Sequence, residues 1–137
     1  MFGFGNKRVE KAPPPRVTVP SPALAPPSVP PPPPLVEISA KEAQGKIAAG
    51  AVLLDVREAF ELQVASVKGA LHIPMGQIPA RIGELDRARE IVCMCHHGMR
   101  SAGVAGYLIE QGFGKVVNLS GGISAWASEV DPSVPQY

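Results

Sequence analysis

The sequence predicts an α/β fold: a mainly parallel central sheet covered by helices on both faces, preceded by a disordered proline-rich arm. Three observations lead there. The short continuous apolar runs "AVLLDV", "EIVCMC" and "KVVNL" read as strands buried on both faces. Helical patterns of about ten residues separate them, and strands alternating with helices of that length pair in parallel through crossovers. Of the 16 prolines, 12 precede residue 35, so the chain has two regimes, an arm over residues 1–34 and a domain over 35–137.

Each element follows from its residues. Proline has no amide donor and a fixed φ, which keeps residues 12–34 out of helix and sheet and favours extended polyproline conformations. The arm is therefore a spacer or, as the other reading, a ligand for a protein whose aromatic groove reads P-x-x-P. "LVEIS" is a short first strand. Ser39 followed by Glu42 forms a capping box for the helix "AKEAQGKIAA", which Gly50 ends. After the strand "AVLLDV" come a short helix in "EAFELQVA", an extended "ALHIP" and a helix around "IPARIGEL". The strand "EIVCMC" leads into the helix "SAGVAGYLIEQ", with Gly112 beyond its end. "KVVNL" is followed by a closing helix in "GGISAWASEV", with Trp126 on its apolar face, and "DPSVPQY" is an extended tail expected over the sheet edge.

Charge and length exclude several classes. At 137 residues and 45% apolar content the chain supports one ordinary domain. Lys7, Arg8, Lys11 and Arg16 against Glu10 give the arm +3, while nine basic and eleven acidic side chains give the remainder −2. Neither half is a basic face for nucleic acid. No run of 18 apolar residues exists to cross a membrane, and "MFGFGNKRVEK" lacks the apolar core of a secretory signal, so the expected location is cytoplasmic. The two cysteines are then expected as thiols. Cys93 and Cys95 are also poorly spaced for a disulfide, since alternate α-carbons of a strand lie roughly 6.5–7 Å apart.

The chemistry concentrates in "VCMCHHGMRS", residues 92–101. In open α/β sheets ligands gather beyond the carboxyl ends of the strands, and Cys95 ends one. The next helix is expected near Ser101, so the intervening loop must curl around the thiol and turn successive amides inward, with Gly98 supplying the left-handed residue such a turn needs. The helix amino end and Arg100 add positive charge. All three favour thiolate over thiol and make Cys95 a nucleophile at neutral pH. Such a cradle would hold either a persulfide or an oxyanion, and loop length separates them. Cysteine-dependent phosphatases place one residue more between cysteine and arginine than the "HHGM" found here, so this cradle is better sized for a lone sulfur.

Four segments make a resemblance specific: "LLDVRE" at 53–58, "GALHIP" at 69–74, "CHHGMRS" at 95–101 and "NLSGGISAW" at 118–126. With their order, they make residues 35–137 resemble a single rhodanese domain. The resemblance implies sulfurtransferase chemistry, in which the cysteine takes a sulfane sulfur from a donor such as thiosulfate, holds it as a persulfide, and passes it to cyanide or a thiol. It implies Cys95 as nucleophile, and His96, His97, Gly98, Met99, Arg100 and Ser101 as the loop that holds the sulfur, Arg100 attracting an anionic donor. Asp55 and Arg57 match the family's Asp-x-Arg signature and are implied as supports beside the site. One segment departs: where many members carry a histidine, "ASVKGA" has Ser66, which bears on donor preference more than on the chemical step.

Plainer readings stand beside these. Cys93, inside the apolar run, reads as a packing residue, with a resolving cysteine as the alternative. Cys93, Cys95, His96 and His97 are all metal-ligand types, but one strand and a tight loop cannot surround a tetrahedral ion, so no metal and no cofactor are expected. His96 and His97 read as loop walls and not general bases, because an ionised thiolate has no proton to give up. "SGG" reads as a helix entry, with a phosphate cradle as the weaker reading. Against the enzyme stands a second functional class, a persulfide carrier or docking module serving a protein partner.

Overall fold

The computed structural model describes residues 34–137, so the expected arm lies, apart from Pro34, outside the described residues. The elements run β1 (Val36–Ile38), α1 (Ala40–Ala48), β2 (Val52–Asp55), α2 (Ala59–Val64), β3 (Leu71–His72), α3 (Ile78–Arg81), β4 (Ile91–Met94), α4 (Met99–Glu110), β5 (Val116–Leu119) and α5 (Gly122–Glu129). The five strands form one sheet in the order β1-β5-β4-β2-β3, and every pairing is parallel. β4, which delivers Cys95, is the central strand.

Side chains alternate across the pleat, and both faces are covered. Val92 and Met94 of β4 join Leu53, Val117 and Leu119 under α1 and α5, where Ile123 and Trp126 complete one core. Ile91, Cys93 and Cys95 point the other way, into a second core with Leu54, Ile78, Val104 and Leu108 under α3 and α4. Fully burying side chains such as Leu119, Ile123 and Leu108 contributes roughly 1.5–3 kcal/mol each. Burial on both faces explains why β2, β4 and β5 read as unbroken apolar runs and not as alternating ones. Trp126 belongs to the core.

Local signals account for the boundaries. The Ser39 hydroxyl accepts the Glu42 amide at 3.1 Å and the Glu42 carboxylate accepts the Ser39 amide at 2.9 Å, the reciprocal cap that starts α1. Gly50 (φ 110°) and Gly112 (φ 96°) take the left-handed conformation just past α1 and α4.

Three expectations are corrected. "IPARIGEL" is a single α-turn, α3, between 3-10 turns at Met75–Gln77 and Ile82–Glu84, because Pro79 lacks an amide donor and Gly83 weakens any continuation. α4 begins at Met99, two residues before Ser101, because Gly98 at φ 104° turns the chain directly into the helix. The C-terminal segment does not cover the sheet edge. Val134 enters the core beside α1 and α5, the Gln136 side chain donates to the Ser124 carbonyl (3.2 Å) and Ser128 hydroxyl (3.0 Å) of α5, and Tyr137 reaches the cysteine loop. Among the described residues no helix is long and apolar enough to cross a membrane.

Candidate active site

Cys95 follows β4 at the carboxyl edge of the sheet, and its residue is 1% exposed. Its Sγ receives the Gly98 amide at 3.1 Å and the Ser101 hydroxyl at 3.3 Å, so two donors aim at the sulfur from the loop and the first turn of α4. Gly98 is required twice over. Its φ of 104° suits glycine, and a Cβ there would lie 3.1 Å from the Gly121 nitrogen and 3.2 Å from the Leu119 oxygen.

The outer side of the loop is held by β5 and α5. The Ile123 amide donates to the Cys95 carbonyl (2.8 Å), the Ser124 amide to the His96 carbonyl (3.2 Å), and the Asn118 side-chain amide to the Gly98 carbonyl (3.0 Å). In a planar trans peptide the N–H points opposite to the C=O. Fixing those three carbonyls outward therefore turns the amides of His96, His97 and Met99 away from α5 and Asn118. This also decides the role of "SGG". It is a helix entry, and the α5 amides of Ile123 and Ser124 are taken by loop carbonyls and not left for phosphate. Gly122 (φ 60°) permits the close approach, since a Cβ there would fall 2.4 Å from both the Cys95 and His96 oxygens.

Cys95, His96, His97, Met99 and Arg100 line a depression of about 270 Å³, with Met99 83% exposed at its rim. The His96 ring is sandwiched, its centroid 3.8 Å from both the His97 and the Tyr137 rings. Its Nε2 lies 2.6 Å from the main-chain oxygen of Tyr137, an atom that only accepts, so this nitrogen carries the proton.

Arg100 does not face the mouth as a lone charge. Its Nη1 and Nη2 donate to the Glu61 carboxylate at 2.7 and 2.9 Å, a bidentate pair that raises Arg100 above its ordinary range. The Arg100 guanidinium, with help from the Glu58 amide and the Tyr137 hydroxyl, holds the Glu61 carboxyl down at about 2 despite its burial. Asp55 and Arg57 form a second, fully buried pair, with Arg57 Nε and Nη2 donating to the carboxylate at 2.9 and 2.6 Å. Arg57 Nη1 also donates to the Tyr137 hydroxyl (2.8 Å), which donates to Glu61 Oε1 (2.9 Å). The chain Asp55–Arg57–Tyr137–Glu61–Arg100 is thus one continuous network ending at the loop.

Glu61 and Tyr137 are the site residues that sequence reasoning missed. Glu61 left one signal, a carboxylate within an apolar helical pattern. Cys93 sits one pleat below Cys95 on the same face, and burial pushes its thiol far above the ordinary range, as suits a packing residue. Ser66 is exposed and lines a separate depression between α2 and the C-terminal segment. Among the described residues no three His, Cys, Asp or Glu side chains come together as a metal-holding group.

A parallel sheet whose central strand leads straight into a cysteine wrapped by a short loop defines a class of α/β protein with a strand-end thiol site. The rhodanese-like domain profile matches residues 39–129, and the chain belongs to that family. YtwF of Bacillus subtilis is 48% identical over 80 residues, 58% of this chain and 77% of YtwF. A protein of Allochromatium vinosum named sulfurtransferase is 41% identical over 83 residues, 61% of this chain and 78% of that one. Among solved structures, a rhodanese-related protein from Thermoplasma volcanium aligns with TM-score 0.66 and 32% identity over 74% of this chain and 99% of its own.

Proposed function

We propose that the chain is a sulfurtransferase that carries a sulfane sulfur on Cys95. The observation that carries this reading is the Cys95 sulfur held under the Gly98 amide and Ser101 hydroxyl inside a loop whose Cys95, His96 and Gly98 carbonyls are tied outward. The Cys95 thiolate attacks the sulfane sulfur of a donor such as thiosulfate, the S–S bond breaks, and sulfite leaves with the bonding electron pair. The terminal sulfur then carries the negative charge, for which loop amides are the natural donors. Cyanide or a thiolate attacks that sulfur and restores Cys95. His96, His97 and Met99 wall the site, while Asp55 and Arg57 brace it. A loop with only four residues between Cys95 and Arg100 also disfavours the larger phosphate.

The second reading is a persulfide carrier serving a protein acceptor, in which the proline-rich arm acts as tether. The exposure of Met99 at the rim favours it, since an apolar rim suits a macromolecular partner better than cyanide. The deciding measurement is intact mass after incubation with thiosulfate, followed by peptide mapping. A gain of one sulfur atom on the Cys95 peptide supports both readings, and fast turnover with cyanide then selects the enzyme. Absence of the adduct, or its location on Cys93, overturns the proposal.

A further inference from the structure

The mouth above Cys95 offers little uncancelled guanidinium or ammonium charge for a site that handles anions. Arg100 is the only arginine or lysine in its lining. That cation is already matched, because both Glu61 oxygens receive Arg100 Nη atoms. Glu61 cannot readily swing away, since Oε1 also accepts the Tyr137 hydroxyl at 2.9 Å and Oε2 the Glu58 amide at 3.0 Å. The other guanidinium nearby, Arg57, is fully buried against Asp55.

Resting on the reading of Cys95 as sulfur carrier, we propose that Glu61 is a specificity-determining positioning residue: by holding Arg100 in a neutral pair, it favours sulfane donors with at most one negative charge, alkyl persulfides, over dianions such as thiosulfate. In the favoured step the Cys95 thiolate attacks the outer sulfur of R–S–SH. The S–S bond breaks, its electron pair leaves on R–S⁻, and Cys95 keeps S–SH, which loses its proton to solvent. Thiosulfate reacts with the same balance and releases sulfite, but brings two negative charges to a mouth whose donors to the sulfur, the Gly98 amide and the Ser101 hydroxyl, are uncharged. Coulomb's law sets the scale: one uncancelled charge over roughly 6 Å of water is worth about threefold to a monoanion and about tenfold to a dianion.

The test uses the full chain, with thiosulfate and hydroxyethyl persulfide as donors and the rate of sulfur loading on Cys95 as readout. Glu61→Gln is expected to raise the thiosulfate rate about tenfold at low ionic strength and the persulfide rate no more than about threefold. The difference should vanish at about 1 M salt, where the screening length is about 3 Å. The wild-type chain needs no folding control, and its thiosulfate loading should not slow across the same salt range, since salt only relieves the repulsion between the Cys95 thiolate and the dianion. A wild-type thiosulfate rate that falls steeply as salt rises, or a variant that changes both donors by one factor, overturns the inference and leaves the sulfurtransferase reading standing. A wild-type chain that loads sulfur from neither donor removes both.

Discussion

At the scale of single residues the site separates two thiols by environment. Cys93 and Cys95 share a face of β4, but only Cys95 meets hydrogen-bond donors, and Cys93 is sealed by hydrocarbon. Cys95→Ser is expected to abolish sulfur loading, whereas Cys93→Ser keeps most of the rate, as adduct mapping would check. Glu61 gives a prediction in pH. Its carboxyl is lowered to about 2 by Arg100 and its other donors, below the ordinary glutamate value of about 4.3, so the stability it contributes is present above about pH 4.5 and is lost as pH falls toward 2. The melting-temperature gap between wild type and Glu61→Gln should therefore be full at pH 6 and narrow below pH 4. Cys95, Gly98 and Arg100 were legible because the loop is contiguous and its chemistry local. Glu61 and Tyr137 were not, since their contacts span 39 and 76 residues and depend on the rotation of α2 and the path of the C-terminal segment.

At the scale of elements, α5 shapes the cysteine loop without touching the sulfur. Gly122→Ala would drive a methyl into the Cys95 and His96 carbonyls at 2.4 Å and force the loop or the helix to move. Its expected outcome is a fall of several degrees in melting temperature together with lost sulfur loading. Gly45→Ala, in α1 with nothing within 4 Å, is expected to stabilise by about 0.5–1 kcal/mol in denaturant melts and leave loading unchanged. The contrast between two chemically identical changes isolates the close approach as the cause. Helix caps and buried strands were legible because they are written in neighbouring residues, as with Ser39 and Glu42. The start of α4 and the breakup around α3 were misjudged where a glycine or proline acts through backbone conformation that spacing alone leaves open.

At the scale of the molecule, the alternation of apolar runs with helices carried the parallel architecture, but it could not rank the strands. The order β1-β5-β4-β2-β3 places first and last strands side by side and the catalytic candidate in the middle. Removing residues 1–33 is expected to leave the melting temperature and the loading rate of the domain within experimental error, because that sequence offers no apolar pattern to bury, and a calorimetric scan of the shortened chain would check it. The pairing of Val36 with Val117 carries a last consequence. A polypeptide emerging from the ribosome exposes β1 about eighty residues before its neighbour β5 exists, and α5, which ties the loop behind the thiol, follows β5. The reactive cysteine is thus synthesised before the elements that tie its loop carbonyls, so the site is assembled only once the chain as far as α5 is available to fold.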